Sequence, residues 1–260
     1  MSRTLTVMLG FVVLGLAMLG PTAPVAAQTP APGAAVARGD RLMAEARTEA
    51  AIETYRVGLA ARPDDPALLW KTARAISNLA DETPGEEGDE ARMEEAVELS
   101  RRAVRVGAGI SRTHTTLAAS LGKLALFRGG KRKVELAREV GREARRAAAL
   151  DPQDFAPFTV LGVLERELAT LNPLLRGFAG ALFGGVPDAS LERSATLLER
   201  AARLGPGYVA PHLELANTYV EMDREREARA ELEKALALEP RERLDSVLQA
   251  RARELLRDLD

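Results

Sequence analysis

"HLELANTYVEMDREREARAELEKALALEP", residues 212–240, carries two helical periods back to back. Leu215, Ala216 and Tyr219 recur at the three- and four-residue spacing that places side chains on one helical face. Ala228, Leu232 and Ala235 repeat that spacing in the second half. Pro240 closes the stretch, because the residue before a proline is pushed out of the helical region. The alanines fall where the two helices would cross, and a bulky side chain at Ala216 or Ala228 would hold the pair apart. The stretch therefore predicts two antiparallel helices in close contact.

The same offsets recur along the chain. Gly39, Ala51, Tyr55, Gly58 and Pro63 keep them near the N-terminus, Ala144, Ala147 and Pro152 in the middle, and Leu198, Ala201 and Pro206 further on. Tandem two-helix units of this kind are the 34-residue tetratricopeptide pattern. They predict an all-α fold, an α-α superhelix built of irregular repeats. Some units are stretched. The helix at 67–81 precedes an acidic loop, "ETPGEEGDE". The helix at 114–127 precedes "RGGKRK" and a long second helix at about 134–150. A last amphipathic helix, 245–259, should cap the array, since a terminal repeat needs a cover for its exposed face.

From about residue 65 onward, "LLWKTARA", His114 opening a helix, "ALDPQDF", "VLGVLERELATL" and above all "ALFGGVPDASLE" resemble the regulator of microtubule dynamics family in its bacterial tetratricopeptide form. Leu182, Phe183, Gly184, Pro187, Ala189 and Ser190 match the Leu-Phe-Gly, Pro and Ala-Ser run that precedes a helix in that family. The resemblance implies the fold. It does not carry over a microtubule function to an exported chain.

The segment "NPLLRGFAGALFGGVPDAS", 172–190, interrupts the charged pattern. Asn172 and Pro173 suit a helix start, and Leu174, Leu175, Phe178 and Leu182 then share an apolar side. A short helix over 172–186 is expected between the two helices of the fourth unit, with Asp188 or Ser190 capping the next helix. It reads as a packing element that buries Leu182 and Phe183, as a lid hinged on glycines, or as a membrane-contacting finger.

The first 27 residues differ in composition from the rest. Arg3, the apolar run "LTVMLGFVVLGLAMLG" and the small residues Val25 and Ala27 read as a signal peptide cut near Ala27. A flexible lead, 28–34, and a repeat domain, 35–260, should come after it. The mature protein is then periplasmic or secreted and does not span the membrane. The chain has no Cys, so disulfides and thiolate chemistry are excluded.

No motif for catalysis, metal or cofactor stands out. His114 and His212 occupy equivalent positions at helix starts and belong to no close ligand pair, so they should cap or pack between helices. "GGKRK" lacks the upstream glycine of a phosphate loop, and no GxSxG elbow is present. The reading is a non-catalytic scaffold, without metal or cofactor, that binds a protein or peptide in its concave groove. The alternative is a carrier of lipid or a small apolar ligand, closed by the 172–186 helix. The repeat register places Thr159, Val163 and Arg166 of unit four in the groove, and Leu213, Asn217, Val220 and Glu221 of unit five. Asn217 suits a peptide backbone because its amide both donates and accepts. Residues 123–146 hold nine basic and three acidic residues, whereas 81–95 hold eight acidic and one basic. Lys131, Arg132, Lys133, Arg138 and Arg142 thus form a basic face that is simply solvated, docks an anionic partner, or is screened by the acidic loop. With a net charge of −2 and no interleaved aromatics, nucleic acid is not an expected partner. If the leader is cleaved as read, N-terminal sequencing of the exported protein returns Gln28. An intact 28.0 kDa chain recovered from cytosol would contradict export.

Overall fold

A computed structural model describes residues 32–86, 88–171 and 189–259. The leader and the 172–186 helix expected above lie outside the described residues. Eleven α-helices are present among those described, and no strand. They are α1 (Pro32–Ala44), α2 (Thr48–Ala61), α3 (Pro66–Glu82), α4 (Asp89–Val106), α5 (Ser111–Leu124) and α6 (Gly130–Leu150). After these come α7 (Phe155–Ala169), α8 (Leu191–Leu204), α9 (Val209–Glu221), α10 (Glu225–Ala237) and α11 (Arg243–Asp258). A 3₁₀ turn, Ala125–Phe127, joins α5 to α6. The first helix already begins at Pro32, inside the stretch read as a flexible lead. The long second helix of unit three begins at Gly130, four residues earlier than expected.

Local chemistry starts these helices where the sequence suggests. Asp65 accepts from the backbone N–H groups of Ala67 and Leu68 ahead of Pro66, and Asp154 accepts from that of Ala156. Ser190 accepts from the Arg193 N–H and so caps α8. Short turns join α1 to α2 and α9 to α10 through residues in the left-handed region, Ala46 and Asp223. Aspartate tolerates that region far better than alanine.

Each unit is a hairpin of helices, α1/α2 through α9/α10, and the crossings are as tight as the small residues imply. Ala216, Ala228, Ala235, Ala51, Ala144 and Ala201 are all fully buried. Two crossings admit no side chain at all. A Cβ on Gly39 would run into the Tyr55 ring, and one on Gly162 into Leu198. The apolar interior is divided into three clusters, one in α1–α4, one in α3–α8 and one in α8–α11, as expected of a stacked array in which each unit touches its neighbours.

The first helices of successive units pack on one another, α1 on α3, α3 on α5, α5 on α7, and α7 on α9. The second helices stand apart, with clefts between α2 and α4 and between α8 and α10. First helices therefore lie on the inside of the curve. α11 continues the inner series by packing on α9 and α10, and it also reaches α3. The inner helices from α3 to α11 form a closed circuit.

Gly162→Ala should lower stability by about 1–3 kcal/mol through overpacking against Leu198, despite alanine's better helix propensity. Chemical denaturation with unchanged slope and an earlier midpoint is the expected result. An unchanged midpoint would mean that α7 and α8 do not approach this closely.

Candidate functional site

The inner face is bridged from helix to helix by ion pairs. Lys71 of α3 donates to both carboxylate oxygens of Asp40 on α1, at 2.7 and 2.9 Å, and Tyr55 donates to the same carboxylate at 2.7 Å. Burial and that bond to a carboxylate push the Tyr55 hydroxyl far above its ordinary range. Lys123 of α5 binds Asp81 at 2.6 Å and the Ser77 carbonyl at 2.9 Å. Arg166 of α7 binds the Glu214 carboxylate at 2.7 Å and its carbonyl at 3.0 Å. These charges hold neighbouring units in register.

The residues expected in the groove therefore divide. Arg166 is a tie between units four and five. Leu213 is a correction: at 3% exposure it belongs to the core cluster that contains Leu248 and Ala252 of α11. α11 packs on α9 and shares this cluster with it. Thr159 and Val163 on α7 and Asn217 and Val220 on α9 are half-buried, and Glu221 is exposed. The Thr159 hydroxyl bonds its own helix at the Phe155 carbonyl. The Asn217 amide has no hydrogen-bond partner among the described residues, although the neighbouring Thr218 hydroxyl and Glu214 are both engaged. On α5, a Cβ at Gly122 would meet nothing within 4 Å, so open space borders the inner face there.

At the seam where α11 meets the first units, Arg74 and Asn78 of α3 both donate to Glu242, at 3.4 and 3.2 Å. Arg243 binds Glu49 of α2 at 3.3 Å and approaches Glu82 at 3.7 Å. Arg251 donates to the Asp81 carbonyl at 3.2 Å. Sequence reasoning missed this group. The signal was available in part, because Arg74 and Asn78 hold the register positions in unit two that Asn217 and Glu221 hold in unit five.

The two histidines do pack between helices. His114 Nδ1 lies 2.6 Å from Glu143 and Nε2 lies 3.0 Å from the Ala108 carbonyl. His212 repeats this with Glu231 at 2.6 Å and the Pro206 carbonyl at 3.3 Å. Each ring thus pins the loop six residues upstream to the second helix of its own unit. Burial would raise the Glu231 carboxyl, but the hydrogen bonds from His212 and Lys234 outweigh it, and its pKa is lowered. Beside this pair, Leu215, Tyr219, Arg203 and Leu238 line the α8–α10 cleft of about 600 Å³. No group of three potential ligands able to hold a metal occurs among the described residues.

On the outer face, α6 presents Lys131, Arg132, Lys133, Arg138 and Arg142 as exposed residues. Lys131 and Arg132 share Glu135. The acidic residues Glu139 and Glu143 of this helix are turned inward, to Arg101 and His114. The acidic segment does reach the start of this region, since Arg128 binds Glu90 and Glu94. No described helix is long and apolar enough to cross a membrane.

Residues 35–260 match the family described as Regulator of microtubule dynamics protein 1-3. The chain is 26% identical over 196 residues to Regulator of microtubule dynamics protein 1 of Bos taurus, covering 75% of this chain and 62% of that protein. It is 27% identical over 189 residues to protein 3 of Mus musculus, covering 72% and 40%. These matches thus take in less than two thirds of either relative's length. A thermophilic tetratricopeptide-repeat protein of Thermus thermophilus shares the fold, with a TM-score of 0.64 at 20% identity, covering 87% of this chain and 99% of that one.

The lowered Glu231 carboxyl has a definite consequence for pH. Its stabilising contribution is present above the ordinary carboxylate range and is lost as pH falls through its lowered value. Glu231→Gln should therefore lower the melting temperature at neutral pH and flatten its decline in acid. Parallel melting curves for variant and parent across pH 3 to 7, offset by a constant, would contradict this assignment.

Proposed function

This chain belongs to the regulator of microtubule dynamics family, and from that premise we propose that it is an exported, non-catalytic scaffold that binds a protein or peptide segment on its inner face. The observation that carries the reading is Asn217: a half-buried amide on the inner face with both its donor and its acceptor unpaired among the described residues. A bound backbone supplies the matching N–H and C=O groups. Thr159, Val163 and Val220 provide the small and apolar contacts beside it, and Glu221 marks its exposed edge.

The names of the bovine and mouse relatives refer to microtubule dynamics. The leader read at 1–27 sends this chain away from the cytoplasm, so the partner proposed is a protein of the envelope or the exterior. The basic stripe of α6 adds a longer-range attraction for an anionic partner, which weakens as salt shortens the Debye length.

Pull-down from envelope extract tests the reading. Asn217→Ala and Val163→Glu should each lose the captured partner while melting like the parent. Arg138→Glu with Arg142→Glu should weaken capture further at low salt and leave less of it for added salt to screen. Capture of the same partner in equal amount by both inner-face variants would refute the inner face as the site. A co-purified lipid in native mass spectra, without a protein partner, would favour the carrier.

A further inference from the structure

We propose that Arg74 and Asn78 form a receptor for an acidic side chain of a bound peptide, and that Glu242 of the chain's own C-terminal segment occupies it while the array is closed. The proposal rests on the inner-face reading above and names the chemistry of the partner.

Arg74 and Asn78 stand one turn apart on α3, at inner-face positions equivalent to Asn217 and Glu221. Together they aim a guanidinium and an amide N–H at one carboxylate oxygen of Glu242. At 3.4 and 3.2 Å these contacts are longer than the 2.7–2.9 Å of a well-formed charge-assisted bond. Arg74 also keeps its Nε buried with no hydrogen-bond partner. A guanidinium can grip a carboxylate through two parallel N–H groups, and Glu242 engages only the Nη1 end. The receptor can hold an acidic side chain better than it holds this one.

The seam is also built to part. Successive units share buried apolar side chains, whereas the buried apolar residues of α11, Leu248 and Ala252, belong to the cluster of α8–α11. Neither of them joins the cluster of α1–α4. Contact between α11 and the first units is carried by polar groups: Glu242 with Arg74 and Asn78, Arg243 with Glu49 and Glu82, and Arg251 with the Asp81 carbonyl. Glu82 accepts from Thr48 through one oxygen, and its other oxygen is buried without a hydrogen bond. Burial, opposed by the Thr48 bond and Arg243, leaves the Glu82 carboxyl raised, so its charged form is poorly accommodated there. Charge pairs at partly exposed positions contribute little and are screened by salt. An acidic peptide that takes Arg74 and Asn78 displaces Glu242 and releases α11 from α3.

The test uses the full chain and a synthetic peptide of residues 236–248, LALEPRERLDSVL, supplied in trans. Glu242→Gln in the protein should tighten peptide binding by about tenfold, because the internal competitor is weakened and the competent fraction rises. Arg74→Gln or Asn78→Ala added to that variant should abolish binding, and so should Glu242→Gln in the peptide, with circular dichroism reporting that the proteins stay folded. The chain has no native cysteine, so spin labels at Ala37→Cys and Ala250→Cys report the seam directly. Their separation should lengthen on Glu242→Gln and on peptide addition. Equal peptide affinity in parent and Glu242→Gln proteins, binding that survives loss of Arg74, or an unmoved label distance would each overturn the proposal. Peptide binding that depends on Arg74 but not on Asn217 would leave this site standing and remove the inner-face reading for unit five. Partner capture that depends on Asn217, with no peptide bound, would do the reverse.

Discussion

Close crossing of two helices at side chains no larger than alanine is the constraint on which the rest of this structure depends. Gly39 against Tyr55 and Gly162 against Leu198 leave no room for a Cβ. Ala216 and Ala228 are fully buried in the last unit. With each hairpin drawn this tight, its apolar side chains cannot all be satisfied within one unit, and the remainder must be buried by the next. Stacking is the result. The first helices pack against one another while the second helices diverge, and the array curves with its first helices inside.

Curvature then brings the ends together. α11 serves as the cover that a terminal repeat requires, burying Leu248 and Ala252 against α9 and α10. The same helix arrives beside α3, and its first turn meets Arg74, Asn78 and Glu82. The two faces of α11 thus do different physical work. One is apolar and permanent. The other is polar, incompletely hydrogen-bonded and sensitive to salt, which makes it the natural place for the circuit to open.

The inner face combines committed and uncommitted groups. Lys71, Lys123 and Arg166 neutralise carboxylates on adjacent helices and fix the units in register. Against that background Asn217 stands out because it has nothing to bond among the described residues, and Arg74 because its bonds to Glu242 are long. The histidine–glutamate pairs of units three and five show the other outcome. They are polar contacts that hold a loop to a helix.

Much of this was legible in the residues alone. Helix periods, small residues at crossings, prolines at unit ends and the Ser190 cap are local features, encoded within a few turns of chain, and periodicity exposes them directly. The equivalence of His114 and His212 was legible for the same reason. The family resemblance read from about residue 65 extends to residue 35. What sequence could not supply were the contacts set by the accumulated rotation of five units. The approach of Glu242 to Asn78, 164 residues apart in the chain, depends on every intervening crossing angle. Leu213 reads as a groove residue from its register and is buried in the cluster that α9 shares with α8, α10 and α11. Arg166 likewise reads as a groove residue from its register and is engaged by Glu214 on the next unit. Local pattern determined which residues face inward; only the closed tertiary arrangement decided which of them still have something left to bind.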